Sequence, residues 1–215
     1  MIDTVLLDFD GTLMDTRQGI LDSWKHLYKV TRNTEPDEEV LKVTFGEPLT
    51  TSLKKFFPDM DTDEVLAIYK EYQAGNRDKL MKPFPGVTDM VKELKARGFK
   101  VALVTSRGEK SATEGLELSG ILECFDELLT ANKCEKHKPD PQPILMAMEK
   151  LGSKAENTVM VGDTMFDLIS AKRAGVKSIL VGWNVLDESP EEMGEFAPDA
   201  IMEKAEDIFD ILEKF

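Results

Sequence analysis

Short, unbroken runs of apolar and β-branched residues recur along the chain, separated by segments with helical spacing. The runs cover residues 4–9, 100–105, 158–161 and 178–181, and a shorter apolar piece covers residues 127–130. Such runs are typical of strands that are buried on both faces of a parallel sheet. Because helix-like segments lie between most of them, the pattern predicts an α/β fold, a Rossmann-like parallel sheet flanked by helices.

Three of the intervening and terminal segments carry specific helix signals. Residues 109–118 have a helix-forming composition, and Asp140-Pro141 is a good start for another helix that should end before Gly152. The C-terminal residues 204–215 should form a helix that docks through one apolar stripe. This stripe comprises Ile208, Ile211, Leu212 and Phe215.

Residues 17–82, which we call the helical segment, interrupt the alternation of strands and helices. They show helix-like patterns without a clear strand, and they end at Lys82-Pro83-Phe84-Pro85-Gly86, where two prolines and a glycine break regular structure. We therefore expect an α-helical cap at residues 17–82, inserted into an α/β core formed by residues 1–16 and 83–215. Thr16 and Pro83 mark the expected hinges.

Charge and composition exclude several classes of partner. The 215 residues include 27 Lys and Arg against 41 Asp and Glu, a net charge of −14. Nucleic acid and anionic membrane surfaces require basic patches, so neither is expected as a partner. No apolar stretch approaches the ~20 residues of a membrane span, and the N-terminus is unlike a signal peptide. With only Cys124 and Cys134 available, no disulfide framework is expected. These features predict a cytoplasmic protein.

Polar residues follow three of the predicted strands. The first strand ends in Asp8-Phe9-Asp10-Gly11-Thr12, another ends in Thr105-Ser106, and a third in Gly162-Asp163, four residues before Asp167. Ligands of open parallel sheets bind beyond the carboxyl ends of the strands. A cluster of carboxylates there would repel itself without a cation, and hard oxygen ligands suit Mg²⁺. The ion in turn favours a phosphorylated substrate.

The spacing of Asp8 and Asp10 suits two complementary chemical roles. Carboxyl groups two residues apart on an extended chain lean the same way, and Gly11 lets the backbone turn close to a ligand. In unlike environments, one carboxylate can attack phosphorus while the other protonates the leaving oxygen. Lys138, just before a rigidly started helix, could supply a fixed positive charge to the phosphoryl group.

Taken in order, Asp8-Phe9-Asp10-Gly11-Thr12, Thr105, Lys138-Pro139, and Gly162-Asp163 with Asp167 resemble the four motifs of the haloacid dehalogenase superfamily of phosphohydrolases. The likeness spans essentially the whole chain, and the helical segment is similar to the small α-helical cap of that family. The resemblance implies that Asp8 forms an aspartyl-phosphate and that Asp10 is the general acid and base.

The resemblance also implies roles for the remaining motif residues. Thr105 would bind the phosphoryl group, and Lys138 would neutralise the nucleophile and the phosphate. Mg²⁺ would be held by Asp163, the Asp8 carboxylate and the Asp10 carbonyl group, whereas Asp167 and Thr12 would lie just outside the ligands. The expected substrate-binding residues are Gly11, Gly46, Thr105, Ser106, Arg107 and Lys138.

Within the superfamily, Asp10 argues against the dehalogenases, which lack this second aspartate, and Thr12 favours hydrolases over the β-phosphoglucomutase branch. Residues 10–16 and 104–107 are similar to phosphoglycolate phosphatases and to their sister bacterial pyrophosphatases, although Arg107 stands where those relatives often carry Lys. The loop at residues 45–49, which contains Gly46, is either a cap loop that reaches over the substrate or a plain turn between helices.

We therefore expect an Mg²⁺-dependent phosphatase for a small phosphorylated metabolite, with phosphoglycolate as first choice and pyrophosphate as second. A phosphomutase and a catalytically silent regulatory module of the same fold remain alternatives, and both a monomer and a homodimer are open. Because the substrate is anionic and the chain acidic, we also expect a local positive entrance. Its candidate residues are Arg107, Lys138, Lys54, Lys55 and Arg77.

Overall fold

The computed structural model of the chain describes residues 1–183, 189 and 191–215, without the side chains of Arg77 and Asp78. The predicted α/β class is confirmed by a six-stranded parallel sheet with the strand order β5-β4-β1-β6-β7-β8. The strands are β1 (Thr4–Leu7), β4 (Lys100–Val104), β5 (Glu127–Leu129), β6 (Thr158–Gly162), β7 (Lys177–Val181) and β8 (Ala200–Met202).

The central strand β1 explains both the unbroken apolar runs and the position of the polar strand ends. Every residue of β1 is buried, with Leu7 in the apolar cluster on one face of the sheet and Leu6 in the cluster on the other. Leu7 is aligned with Leu103 of β4 and with Val161 of β6. The residues that follow these three strands therefore emerge at the same edge. The predicted strand over residues 4–9 ends at Leu7, because the chain enters a turn in which the carbonyl group of Phe9 accepts the N–H groups of Leu13 and Met14.

Helices cover both faces of the sheet. The predicted helix over residues 109–118 forms with those bounds, and the Asp140 carboxylate accepts a 2.9 Å hydrogen bond from the Gln142 N–H at the start of the next helix. Gly152 ends that helix in the left-handed conformation, with φ of 59°. The helices of this part are α6 (Val87–Ala96), α7 (Glu109–Leu118), α8 (Gln142–Leu151), α9 (Met165–Ala174) and α10 (Asp207–Lys214).

The helical segment packs around an apolar cluster of its own, which includes Trp24, Leu53 and Tyr69. An antiparallel ribbon of β2 (Met14–Asp15) and β3 (Lys82–Pro83) pairs the two places where the chain leaves and rejoins the sheet. None of the helices in the described part of the chain has the length and apolar character needed to cross a bilayer. The helices of the segment are α1 (Arg17–Arg32), α2 (Glu38–Leu41), α3 (Leu49–Phe56), α4 (Thr62–Gly75) and α5 (Arg77–Leu80).

Candidate active site

A buried lysine connects the ends of three structural elements. Lys138 Nζ lies 2.9 Å from Oδ1 of Asp8, which follows β1, and 2.5 Å from Oδ1 of Asp167 in the first turn of α9. It also donates a 3.0 Å hydrogen bond to the carbonyl oxygen of Val104 at the end of β4. The contacts with Asp167 and Val104 are hydrogen bonds, whereas the contact with Asp8 is an ion pair, because Oδ1 of Asp8 has no hydrogen-bond partner among the described residues. Although burial alone would lower it, the carboxylates of Asp167 and Asp8 raise the pKa of Lys138 above its ordinary value.

Three buried carboxylates meet beside this ammonium group. Ligand oxygens of Asp8, Asp163 and Asp167 all lie within 4.8 Å of one another. Burial raises the pKa of Asp8 to about 7 despite the opposing charge of Lys138, and burial together with Asp167 and Asp8 raises the pKa of Asp163 well above its ordinary value. Oδ1 of Asp163 is buried and has no hydrogen-bond partner among the described residues. This oxygen-rich, cation-poor cluster fits a divalent metal ion.

Two glycines make room for this cluster. Gly11 has φ of 76°, and a Cβ at this position would lie 1.9 Å from Oδ2 of Asp163. A Cβ on Gly162 would lie 2.3 Å from Cβ of Asp167. A side chain at position 11 or 162 would therefore occupy the space that the side chains of Asp163 and Asp167 now fill.

Asp167 has a second role in the local structure. Its Oδ2 accepts hydrogen bonds from the backbone N–H of Thr164 at 3.1 Å and from the Thr164 hydroxyl at 2.8 Å. The backbone contact is one half of a capping box that begins α9, and in the other half the Thr164 side chain accepts the backbone N–H of Asp167. The carboxylate is thus fixed by the helix start on one side and by Lys138 on the other.

The Asp10 carboxylate lies apart from the acidic cluster and is bound by a different set of groups. Its Oδ1 accepts hydrogen bonds from Nη1 of Arg107 and from the hydroxyl of Thr16, each at 2.6 Å. Arg107 also donates through Nε to the Ser111 hydroxyl at 2.9 Å, and its backbone N–H donates to Oγ1 of Thr105 at 3.1 Å. Arg107, which the sequence suggested as a substrate contact, is paired with the expected general acid.

A cavity of about 730 Å³ separates these residues from the helical segment. The sheet side contributes Asp8, Asp10, Thr105, Ser106 and Arg107, five of the predicted site residues. The helical segment contributes residues that include Gly46, Glu47, Trp24, Tyr69 and Gln73.

The remaining predicted residues lie behind or beside the cavity. Lys138 is buried beneath Asp8, and Gly11 lies against Asp163. Thr12 is buried, and its carbonyl oxygen accepts a 3.3 Å hydrogen bond from Nε1 of Trp183. Gly46 approaches the sheet side, because a Cβ there would lie 3.1 Å from Oγ1 of Thr164. The loop at residues 45–49 therefore reaches the sheet side rather than only joining two helices.

The basic lining of the cavity differs from the expected entrance. Lys54 and Lys55 are exposed and do not line it, and the Arg77 side chain lies outside the described residues. Instead, Lys70 and Lys110 line the cavity together with Arg107. Spacing alone could not identify these lysines, because an exposed helix face carries them routinely.

The segment that carries the four motifs matches a known protein family. The model of the haloacid dehalogenase-like hydrolase family matches residues 5–181. The chain belongs to this family. The resemblance found in the motifs is thereby confirmed, as is the expectation of a phosphatase-type hydrolase.

Relatives of this haloacid dehalogenase-like hydrolase match along its whole length. Pyrophosphatase PpaX of Halalkalibacterium halodurans is 36% identical over 211 residues, covering 98% of this chain and 97% of that protein. Pyrophosphatase PpaX of Oceanobacillus iheyensis is 35% identical, with the same coverage of both chains.

Solved structures share the fold of this haloacid dehalogenase-like hydrolase. A predicted phosphoglycolate phosphatase from Haemophilus somnus superposes with a TM-score of 0.86 at 22% identity, covering 98% of this chain and 97% of the other. A haloacid dehalogenase-like family protein from Streptococcus pneumoniae superposes with a TM-score of 0.81 at 22% identity, covering 98% of both chains. At this level of identity the structures support the fold alone.

Proposed function

We propose that the chain is a cytoplasmic, Mg²⁺-dependent phosphohydrolase that cleaves inorganic pyrophosphate, with phosphoglycolate as the second candidate substrate. The observation that carries the reaction class is the position of Asp8, which is held by buried Lys138 and also lines the cavity. The choice of pyrophosphate over phosphoglycolate rests on the two PpaX relatives that match the whole chain. The two substrates share a small size and a second anionic group.

Asp8 is the proposed nucleophile. Its Oδ1 faces Lys138, which leaves Oδ2 to form a bond to phosphorus while the bond from phosphorus to the leaving oxygen breaks. Asp10 gives its proton to that leaving oxygen, so the products are an aspartyl-phosphate and the protonated leaving group. Asp10 then takes a proton from the water that attacks phosphorus, which releases phosphate and restores Asp8.

The acidic cluster supports the proposal of a magnesium site. The carboxylates of Asp8 and Asp163, with the carbonyl group of Asp10, would hold the ion. Oδ1 of Asp163, which has no hydrogen-bond partner in the part of the chain that the structure describes, fits a metal ligand. When bound, Mg²⁺ neutralises the charge of the phosphoryl oxygens and of the acidic cluster.

Hydroxyl groups at the end of β4 are proposed to bind the phosphoryl group. The Thr105 hydroxyl oxygen accepts the backbone N–H of Arg107, so its proton is free to point toward an anion. Oγ of Ser106 is buried, has no hydrogen-bond partner among the described residues, and belongs to a residue that lines the cavity. A phosphoryl oxygen would satisfy both groups.

The helical segment is proposed to act as a cap over a core of residues 1–16 and 83–215. It has its own apolar cluster, and the β2–β3 ribbon confines its connections to one narrow place. Closure of such a cap would exclude bulk water from the aspartyl-phosphate.

The test measures phosphate release from pyrophosphate, phosphoglycolate, sugar phosphates, nucleotides and p-nitrophenyl phosphate, with Mg²⁺ or EDTA. We expect Mg²⁺-dependent release, fastest from pyrophosphate, that is lost in Asp8→Asn and retained in Asp89→Asn, an exposed aspartate on α6. Faster release from phosphoglycolate would make it the substrate in place of pyrophosphate and would leave the proposed mechanism unchanged. Full activity of Asp8→Asn would contradict the mechanism, and inactivity of the metal-loaded protein on every compound would favour a silent module.

A further inference from the structure

Two hydrogen-bond donors meet the same oxygen of Asp10. Nη1 of Arg107 and Oγ1 of Thr16 each lie 2.6 Å from Oδ1. A guanidinium group can donate hydrogen bonds but cannot accept them, so Oδ1 must be the acceptor. When the carboxyl group carries a proton, the proton therefore sits on Oδ2. The hydrogen bonds thus distinguish the two oxygens of Asp10, and Asp10 lines the cavity.

The guanidinium group of Arg107 is itself held on several sides. Nε donates to the Ser111 hydroxyl at 2.9 Å, Nη2 lies 3.4 Å from Sδ of Met81, and the guanidinium carbon lies 5.2 Å from the centre of the Phe9 ring. The Arg107 side chain is only 9% exposed. A planar guanidinium with several fixed contacts transmits its orientation to the carboxylate that it binds, which a single ammonium group does less well.

From these contacts we infer that Arg107 is a positioning residue for Asp10, which keeps Oδ2 directed to the oxygen of the leaving group. This inference rests on the proposed function, in which Asp10 is the proton donor. The backbone N–H of the same residue holds Oγ1 of Thr105. Arg107 therefore aligns the proton donor and the proposed phosphoryl-binding hydroxyl with each other.

Proton donation matters most when the leaving oxygen is basic. The dependence of the rate on the leaving group therefore distinguishes a role of Arg107 in positioning Asp10 from a role in binding the substrate. Phenyl phosphate and p-nitrophenyl phosphate have similar shapes, but phenolate is a much more basic leaving group than p-nitrophenolate. Neither leaving group carries the second anionic group of pyrophosphate. Loss of Asp10 alignment should therefore slow phenyl phosphate hydrolysis more than p-nitrophenyl phosphate hydrolysis.

The experiment measures kcat and KM for both aryl phosphates with Mg²⁺, in Arg107→Met, Arg107→Lys and the unchanged chain. Arg97→Met is the matched control, because Arg97 pairs with exposed Glu93 and stacks on Phe209 outside the cavity lining. General acid catalysis contributes 10²–10⁴-fold, and Thr16 remains in place, so Arg107→Met should lower kcat for phenyl phosphate about tenfold more than for p-nitrophenyl phosphate. Arg107→Lys should show a smaller difference between the two substrates than Arg107→Met, and Arg97→Met should show none.

Several results would overturn the inference. Equal losses of kcat on both aryl phosphates would assign Arg107 to general structure or to the phosphoryl group. A rise in KM for both aryl phosphates with an unchanged ratio of their kcat values would make Arg107 a substrate-binding residue. Faster turnover by Arg107→Met would mean that the pair of Arg107 and Asp10 inhibits the reaction.

A crystal structure of Arg107→Met gives a second readout that does not depend on activity. We expect the Asp10 carboxylate to turn from its present orientation, and an unchanged carboxylate would overturn the inference. Failure of the proposed function itself looks different, because it appears in the unchanged chain, as absent phosphate release, or in an active Asp8→Asn variant.

Discussion

Lys138 Nζ lies 2.9 Å from Oδ1 of Asp8, and their side chains are only 2% and 5% exposed. The same ammonium group pairs with Asp167, while Asp163 lies within the cluster and has no ion pair with the described residues. One buried positive charge thus offsets three acidic groups. The folded chain tolerates this imbalance because protons are held more tightly than usual by Asp8 and Asp163, and a bound divalent ion would take over from those protons.

Removal of the buried ammonium group should destabilise the metal-free protein. Lys138→Met should lower the free energy of unfolding in EDTA by about 3 kcal/mol, because it leaves buried carboxylates without their partner. Urea unfolding followed by circular dichroism measures this change. Lys136→Met is the control, since Lys136 is 67% exposed and lies 3.4 Å from Asp140, where an ion pair contributes little. Equal stabilities of the two variants would show that the cluster does not need the ammonium group.

The stability of the metal-free protein should depend on the ionisation of Asp8. Burial raises the pKa of Asp8 to about 7 from the ordinary value of 3.8, so the folded state retains a proton that the unfolded state has released. Stability from this group is therefore full below pH 3.8 and is lost as the pH rises toward 7. The raised pKa of Lys138 adds no slope in this range, because its ammonium group is charged in both states.

The measurement compares the melting temperatures of the unchanged chain and of Asp8→Asn in EDTA, between about pH 5 and pH 8. We expect the unchanged chain to lose stability relative to the variant as the pH rises. Mg²⁺ should raise the melting temperature of the unchanged chain more at the higher pH, since fewer protons must leave. A pH-independent difference between the two proteins would refute the assignment to Asp8.

The sheet was predictable because its strands are covered on both faces. Leu6 and Leu7 face opposite apolar clusters, so β1 has no polar face and reads as a continuous apolar run. The edge strand β8 gave no such signal, because it has three residues and Ile201 is 39% exposed. A continuous apolar run therefore identifies a strand that is buried on both faces, and it does not identify strands in general.

The acidic cluster was predictable for a related reason. Parallel register brings the residues after β1, β4 and β6 to one edge, which places Asp8, Thr105 and Asp163 together. The pair of Asp10 and Arg107 was not predicted, because it depends on side-chain conformations and on contacts with Ser111 and Met81. Apart from Gly46, the cavity lining from the helical segment was not predicted, because a helical pattern does not distinguish a packed Tyr69 from one that faces a ligand.

The close approach of Gly11 to Asp163 should make this glycine necessary for metal binding. Gly11→Ala places a Cβ where Oδ2 of Asp163 now lies, so we expect Mg²⁺ affinity to fall on the order of tenfold or more. Isothermal titration calorimetry of the metal-free protein measures the dissociation constant. Gly152→Ala is the matched control, because its φ of 59° carries a similar backbone cost but no atom lies within 4 Å of the added carbon. Both variants should lose about 1 kcal/mol of stability from the left-handed backbone.

Equal Mg²⁺ affinities of Gly11→Ala and Gly152→Ala would contradict the expected role of Gly11. That result would mean that Asp163 can move away without consequence for the ion, and the metal ligands would have to be sought elsewhere in the cluster.

The separate apolar cluster of the helical segment should give it a stability of its own. Leu53 is 1% exposed and packs in this cluster, and Leu→Ala changes in such positions cost about 2–5 kcal/mol. We expect Leu53→Ala to reduce hydrogen-exchange protection within residues 17–80 while the sheet strands remain protected. Leu103→Ala, in the buried β4, should reduce protection throughout the chain, because the sheet supports both ends of the β2–β3 ribbon. If Leu53→Ala exposed the strands and the helical segment equally, the two parts would unfold as one unit, and the proposed cap could not open by itself.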